Sequence, residues 1–257
     1  MKKLVSTPRN ISYLGWVIVP IVLVFWELIA INIGKPKIFP RLANIGAALY
    51  FFFFVKEGLV YKDIITSFIR ALAGFYIGSL LGIIMGISTA KSVFFKYSLG
   101  RLFNFLRAVT PVALVSIVVL WFGIGEFAQI FLISWGVFFT VWVSVDLGIN
   151  KVDERFIWVT KTLRKDDKLE LWKVYLMSSF KVWLSGLKTS IGIAFILVFV
   201  GELAGATTGL GHRISIAYEI GRPDQVVSGL ILLGGLGAFS NYGFNKLITW
   251  IFPWIEK

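Results

Sequence analysis

The sequence predicts an all-α, polytopic membrane protein, and three observations carry that prediction. Hydrophobic residues make up 57% of the 257 positions and charged residues only 16%, against about 45–50% and about 25% in ordinary soluble domains. Mean hydropathy is +0.82, too apolar for a soluble domain to cover its own surface. The apolar residues also gather in stretches of the length that crosses a bilayer, roughly 20 residues at about 1.5 Å each for a core about 30 Å thick.

The first stretch, Ile11–Ile33, has Glu27 as its one charge. Met1-Lys2-Lys3 ahead of it looks like a signal peptide. The run is too long for a signal core, however, and no small-x-small site follows promptly, so it reads as a retained span. Leu42–Val55 is uncharged and holds Phe51-Phe52-Phe53-Phe54, but its fourteen residues suit an interfacial or re-entrant helix better than a span. Ala71–Ala90, Ala108–Gly125, Phe127–Val145 and Gln225–Asn245 carry no charge, and Thr189–Gly211 carries only Glu202. These cores define one transmembrane domain over 1–257, with spans at about 11–33, 64–90, 108–125, 127–147, 183–206 and 225–250.

Basic residues orient the bundle. With the N-terminus in the cytoplasm, Lys35, Lys37, Arg41, Lys56, Lys62, Arg213 and Arg222 lie outside and Arg70 near the outer end of a span. The remaining 18 of the 26 Lys and Arg fall inside, as the positive-inside rule requires. Both termini are then cytoplasmic. The net charge of +12 is read as basic loops held against anionic membrane lipid, not as a nucleic-acid surface, because no basic patch with interleaved aromatics lies on a soluble module. Zero Cys excludes thiolate chemistry, and a single His, His212, excludes paired-histidine metal motifs. No GxxxxGK[ST] string occurs, so no P-loop is present.

Three features go beyond a plain bundle. Gly74, Gly78, Gly82 and Gly86 recur every four residues, a smooth helical stripe suited to close packing by a neighbouring helix. The stretch 150–177 between the fourth and fifth spans is the most polar of the chain. It reads as two amphipathic helices meeting at Arg164-Lys165-Asp166-Asp167, the second capped by Asp166 or Asp167 and presenting Leu169, Leu171, Trp172 and Leu176. The third feature is ionisable residues inside or beside spans, which are costly enough to be functional candidates. Arg70 and Glu202 have opposite signs near outer ends, as a buried ion pair or as lining of a translocation pathway. Glu126 follows Gly123-Ile124-Gly125, where capping of the fourth span is the simpler expectation. Glu27 is expected to snorkel or to meet another subunit, and His212 to be an ordinary surface residue.

The ordered strings of the chain resemble the permease subunits of ABC importers, in the nitrate, sulfonate, taurine and bicarbonate branch. Those strings are Ser67-Phe68-Ile69-Arg70-Ala71-Leu72-Ala73-Gly74-Phe75, Leu106-Arg107-Ala108-Val109-Thr110-Pro111-Val112-Ala113-Leu114, and Leu120-Trp121-Phe122-Gly123-Ile124-Gly125-Glu126. Thr162-Leu163, Gly201-Glu202-Leu203-Ala204-Gly205-Ala206 and Gly209-Leu210-Gly211 follow, covering roughly residues 35 to 240. The resemblance implies a six-helix, type I importer-like core whose 150–177 segment docks an ATPase through Trp158, Thr162, Leu163, Arg164, Lys165, Asp166 and Asp167. The family's Glu-Ala-Ala, Gly and Pro in that segment are replaced by Trp158-Val159-Thr160, Arg164 and Met177.

The resemblance further implies ATP and Mg on the partner ATPase with no cofactor on this chain, and no catalysis by this chain. It implies a second permease, as a homodimer or a heterodimer, an extracytoplasmic substrate-binding protein, and a place in the bacterial inner membrane. A secondary transporter or channel is the rival. It predicts paired broken helices in an internal repeat, and no convincing repeat links residues 1–128 to 129–257.

Overall fold

The computed structural model describes residues 11–55, 59–153, 155, 158 and 168–253, and every described element is helical. In chain order these are α1 (Ile11–Ile33), α2 (Leu42–Tyr50) running into a π-helical turn (Phe51–Val55), α3 (Leu59–Lys91), α4 (Val93–Tyr97), α5 (Leu99–Ala108), α6 (Pro111–Phe122), α7 (Glu126–Asn150), α8 (Lys168–Leu203), α9 (Leu210–Glu219) and α10 (Pro223–Ile251). Among the described residues, Val60–Lys91, Glu126–Asn150, Trp172–Leu203 and Pro223–Ile251 are long and apolar enough to cross a membrane. The Val93–Ala108 and Pro111–Phe122 helices make a fifth candidate only as a bent pair.

α7 is the central helix, with α3 on one side and α8 on another. Ile133, Val137, Val141, Val145 and Ile149 of α7 pack with Ala71 of α3 and with Trp183, Ile191, Ala194, Leu197 and Val198 of α8 to form the core. The glycine stripe decides how closely α3 approaches. A Cβ on Gly78 would lie 2.5 Å from the Ser134 carbonyl oxygen, and one on Gly82 would lie 2.9 Å from that of Phe138. Gly74 and Gly86 meet the side chains of Ile133 and Val145 in the same way. The backbones pack at a spacing only glycine permits, the small-xxx-small mode of membrane helices.

α1 stands apart from this core. Val17, Ile18, Val19 and Ile21–Phe25 are all exposed, and the helix is tied on near its end. There the Trp26 indole donates to the Pro40 carbonyl at 3.0 Å and the Leu42 N–H donates to Glu27 at 2.9 Å. Glu27 thus serves as the anion at the α2 N-terminus, within its own chain, where snorkelling or a second subunit was expected. α2 lies against α10, with the Ser228 hydroxyl donating to the Ile45 carbonyl at 3.1 Å.

Two expected boundaries are corrected. The stretch 108–125, expected as one span, is helical only over the 12 residues Pro111–Phe122, and the preceding helix meets it across Val109-Thr110 at a 97° bend. Pro111 has no N–H to continue α5 and starts α6 at its first position, while Thr110 before it is extended (ψ 133°). The second amphipathic helix expected inside 150–177 is instead the start of α8, continuous from Lys168 to Leu203. No Gly or Pro lies between Lys168 and Ser185, so nothing interrupts the backbone hydrogen bonds there. α8 is 36 residues long, about 54 Å at 1.5 Å per residue, and so extends well beyond the hydrocarbon at one end.

Candidate functional site: a buried ion network at one end of the bundle

The polar residues of α3 fall on one helical face. Asp63, Ser67 and Arg70 are spaced by four and three, and all three are buried. They meet the end of α8, where Glu202 is the penultimate residue, and the start of α9.

Glu202 is the centre of the network, and its side chain is fully buried (0% exposed). One of its oxygens accepts from Arg70 Nη1 at 2.8 Å and the other from the Gly211 N–H at 2.8 Å. The Ser67 hydroxyl lies 2.7 and 2.9 Å from the pair and supplies a third hydrogen bond. Ser67 Oγ in turn accepts the Leu210 N–H at 2.9 Å, and Asp63 accepts the Gly209 N–H at 2.9 Å. The first N–H groups of α9, which no intrahelical carbonyl can satisfy, are therefore met by two carboxylates and a hydroxyl. The chain passes this crowded corner at Gly209, whose φ is +116° and whose Cβ, if present, would strike the Glu202 carboxylate.

Arg70 joins this corner to α7. Its Nη1 also donates to the Thr208 carbonyl at 2.7 Å, and its Nη2 lies 3.2 Å from Thr208 Oγ1. Its Nε donates to Glu126 Oε2 at 2.7 Å, while Nη2 pairs with Glu126 Oε1. Glu126, the first residue of α7, is thus an ion-pair partner of Arg70 where a helix cap was expected, and the N-cap Gly125 offers no side-chain hydrogen bond. The Arg70 side chain is 3% exposed and that of Glu126 is 61% exposed. A second pair, Arg213 with Asp63, closes the far side: Arg213 Nε donates to Asp63 Oδ2 at 2.7 Å and Nη2 pairs with the same oxygen. The Arg213 guanidinium also sits 5.6 Å from the centre of the Phe52 ring.

The structure therefore brings Arg70, Glu126 and Glu202 together and adds Asp63, Ser67, Thr208 and Arg213, which sequence reasoning passed over. The signal for Asp63 and Ser67 was their helical spacing from Arg70. Thr208 carried no comparable pattern. At the opposite end of α3, the Trp142 indole donates to Thr89 Oγ1 at 3.1 Å and Thr89 donates to Asp146 at 2.9 Å. Asp146 lies one residue past the uncharged stretch and drew no attention. Of the proposed ATPase contact, only Trp158 is described, on a helix and 70% exposed. Thr162, Leu163, Arg164, Lys165, Asp166 and Asp167 lie outside the described residues. Among the described residues no group of three acidic or His side chains is arranged to hold a metal.

Residues 78–257 match the family described as the binding-protein-dependent transport system inner membrane component. A putative ABC transporter permease of Methanocaldococcus jannaschii is 31% identical over 90% of this chain and 88% of its own length. A putative aliphatic sulfonates transport permease of Bacillus subtilis is 28% identical over 92% and 87%. Further relatives are named as taurine, bicarbonate and nitrate permeases. Among solved structures, the MetNI methionine ABC transporter in inward-facing conformations shares the fold with a TM-score of 0.59 at 16% identity, over 74% of this chain and 94% of that one.

Proposed function

The chain belongs to the binding-protein-dependent transport system inner membrane component family, and on that premise we propose that it passes a small anionic solute through the cytoplasmic membrane. It is a multi-pass permease subunit of an ABC importer, not itself an enzyme, and it works with an ATPase and a substrate-binding protein. The observation that carries the anionic solute is the set of named relatives. Sulfonates, taurine, bicarbonate and nitrate each present an oxyanion, and those permeases align over 79–96% of this chain.

The rest of the proposal follows from the family and the charge pattern. Two permeases, either two copies or this chain with a related one, enclose the pathway in the inner membrane, with both termini cytoplasmic and basic loops against anionic lipid. ATP and Mg bind the partner ATPase, which docks at 150–177 around Trp158 and the Arg164–Asp167 corner. ATP-driven closure of the ATPases moves these segments and reopens the pathway toward the loaded binding protein. The solute contributes only its differential affinity for the two states.

The test is reconstitution of the purified permease with its co-purifying ATPase and binding protein. Ethanesulfonate, nitrate or bicarbonate is expected to stimulate ATP hydrolysis and to accumulate inside proteoliposomes, whereas a neutral or cationic solute of similar size does neither. Stimulation by neutral or cationic solutes alone would overturn the anionic assignment.

A further inference from the structure

We propose that the Nε/Nη2 edge of Arg70 is an oxyanion subsite for the transported solute, and that Glu126 is a built-in occupant which the solute displaces. The proposal rests on the anion-importer reading above and assigns that activity a contact point.

The Arg70 guanidinium has two unequal sides. Nη1 is fixed by Glu202 at 2.8 Å and the Thr208 carbonyl at 2.7 Å. Glu202 in turn is held by Ser67 and Gly211 independently of Arg70. The other edge points two donors, Nε and Nη2, at the two oxygens of a single carboxylate, Glu126. That carboxylate is 61% exposed, and its described hydrogen bonds all come from Arg70. The buried half of the network is anchored several times over, and the exposed half hangs on one cation.

The chemistry of that edge selects its ligand. A guanidinium edge pairs side by side with two oxygens of one group, so a carboxylate, nitrate, bicarbonate or sulfonate fits where Glu126 sits. A single-atom anion such as chloride can meet both N–H groups only by forking them onto one atom, as Asp63 Oδ2 does on Arg213, and forgoes the two parallel bonds that a planar oxyanion accepts. The exchange is also balanced in charge. Glu126 carries one negative charge out into solvent as the solute brings one in, so the buried Arg70 is never left without its second anion. Separating the pair with no replacement would leave part of a buried cation uncompensated.

The surroundings favour an anion as well. Glu126 is the first residue of α7 and Gly125 before it supplies no side-chain cap, so the positive end of that helix adjoins the place the carboxylate occupies.

The experiment follows thermal unfolding of the full-length protein in detergent, titrated with sodium nitrate or ethanesulfonate against sodium chloride at constant ionic strength. Removing the competing carboxylate in Glu126→Ala or Glu126→Gln is expected to lower the half-saturating nitrate concentration roughly fivefold, about 1 kcal/mol, the size of an exposed ion pair. Arg70→Lys keeps the charge without the two-pronged edge and is expected to abolish the nitrate-specific shift. The proposal is overturned if the Glu126 variants titrate like the unmodified protein, or if chloride acts as well as nitrate. It is equally overturned if both Glu126 variants lose cooperative unfolding and nitrate fails to restore it, since Glu126 is then a fixed structural partner. ATPase capture is measured on the same samples: a nitrate shift without capture keeps the subsite and removes the importer reading, and capture without a shift does the reverse.

Discussion

The Glu202 side chain is fully buried, and its carboxylate is held by three donors, one each from Arg70, Ser67 and Gly211. Such a pair contributes less to stability than its contacts suggest, because both ions gave up their hydration to be there. Removing one partner is another matter, costing about 3–5 kcal/mol by leaving a bare charge. Arg70→Met and Glu202→Gln are therefore each expected to lower the thermal midpoint in detergent by of order 10 °C, at about 2–4 °C per kcal/mol for a chain of this size. The double variant is expected to recover at least half of that loss. Equal losses in the single and double variants would show that the two residues are not coupled. The opposite signs of Arg70 and Glu202 near span ends were legible in the sequence as a pairing. Glu126 was not, because a residue 56 positions from Arg70 carries no local pattern linking the two. Only the parallel packing of α3 and α7, whose first turns lie at the same end, brings them together.

At the scale of elements, the α3–α7 seam sets the position of everything attached to it. Gly78 and Gly82 face carbonyl oxygens of α7, which cannot move aside as the tip of a flexible side chain can. Gly78→Ala is expected to destabilise by about 1–3 kcal/mol through overpacking. Gly243→Ala in α10 meets nothing within 4 Å and is expected to be neutral or to stabilise by up to about 1 kcal/mol, the helix-propensity gain. Chemical denaturation of both variants in mixed micelles checks this contrast, and equal effects would mean the stripe is not a contact. The every-fourth-residue spacing made this stripe readable without a structure, since helical period alone places the four glycines on one face. The break at Val109-Thr110 was also written in the chain, as Pro111, but the absence of charge across 108–125 outweighed it. Hydropathy records which residues tolerate lipid and says nothing of direction, so a 97° bend leaves it unchanged. The continuity of α8 was missed for the converse reason: Lys173, Lys181 and Lys188 set the expected helix apart from the span, although no Gly or Pro lies between Lys168 and Ser185 to end it.

At the scale of the whole molecule, the ion network and the basic connections lie at opposite ends of α3, so one measurement orients both. Lys37 shares a pocket with Arg222 and Asp224 at the start of α10, and α9, ending immediately before that corner, carries Arg213 onto Asp63. Lys37 therefore belongs to the Arg70 end. Lys96 follows the last turn of α3, beyond Thr89 and Asp146, at the other end. The chain has no Cys, so single cysteines can be read on a clean background. Lys37→Cys and Lys96→Cys are the reporters of choice because both positions are exposed. Arg213 was counted among the outer bases, but its pairing with Asp63 makes it a poor one. With basic residues retained inside, a membrane-impermeant maleimide is expected to label Lys37→Cys in intact cells and Lys96→Cys only after permeabilisation. That result would place Arg70 and Glu126 on the side from which a binding protein delivers solute, where a displaceable carboxylate meets the incoming anion first. The reverse pattern would put the same subsite at the exit. An oxyanion on Arg70 would then slow release, and nitrate would inhibit transport from the cytoplasmic side.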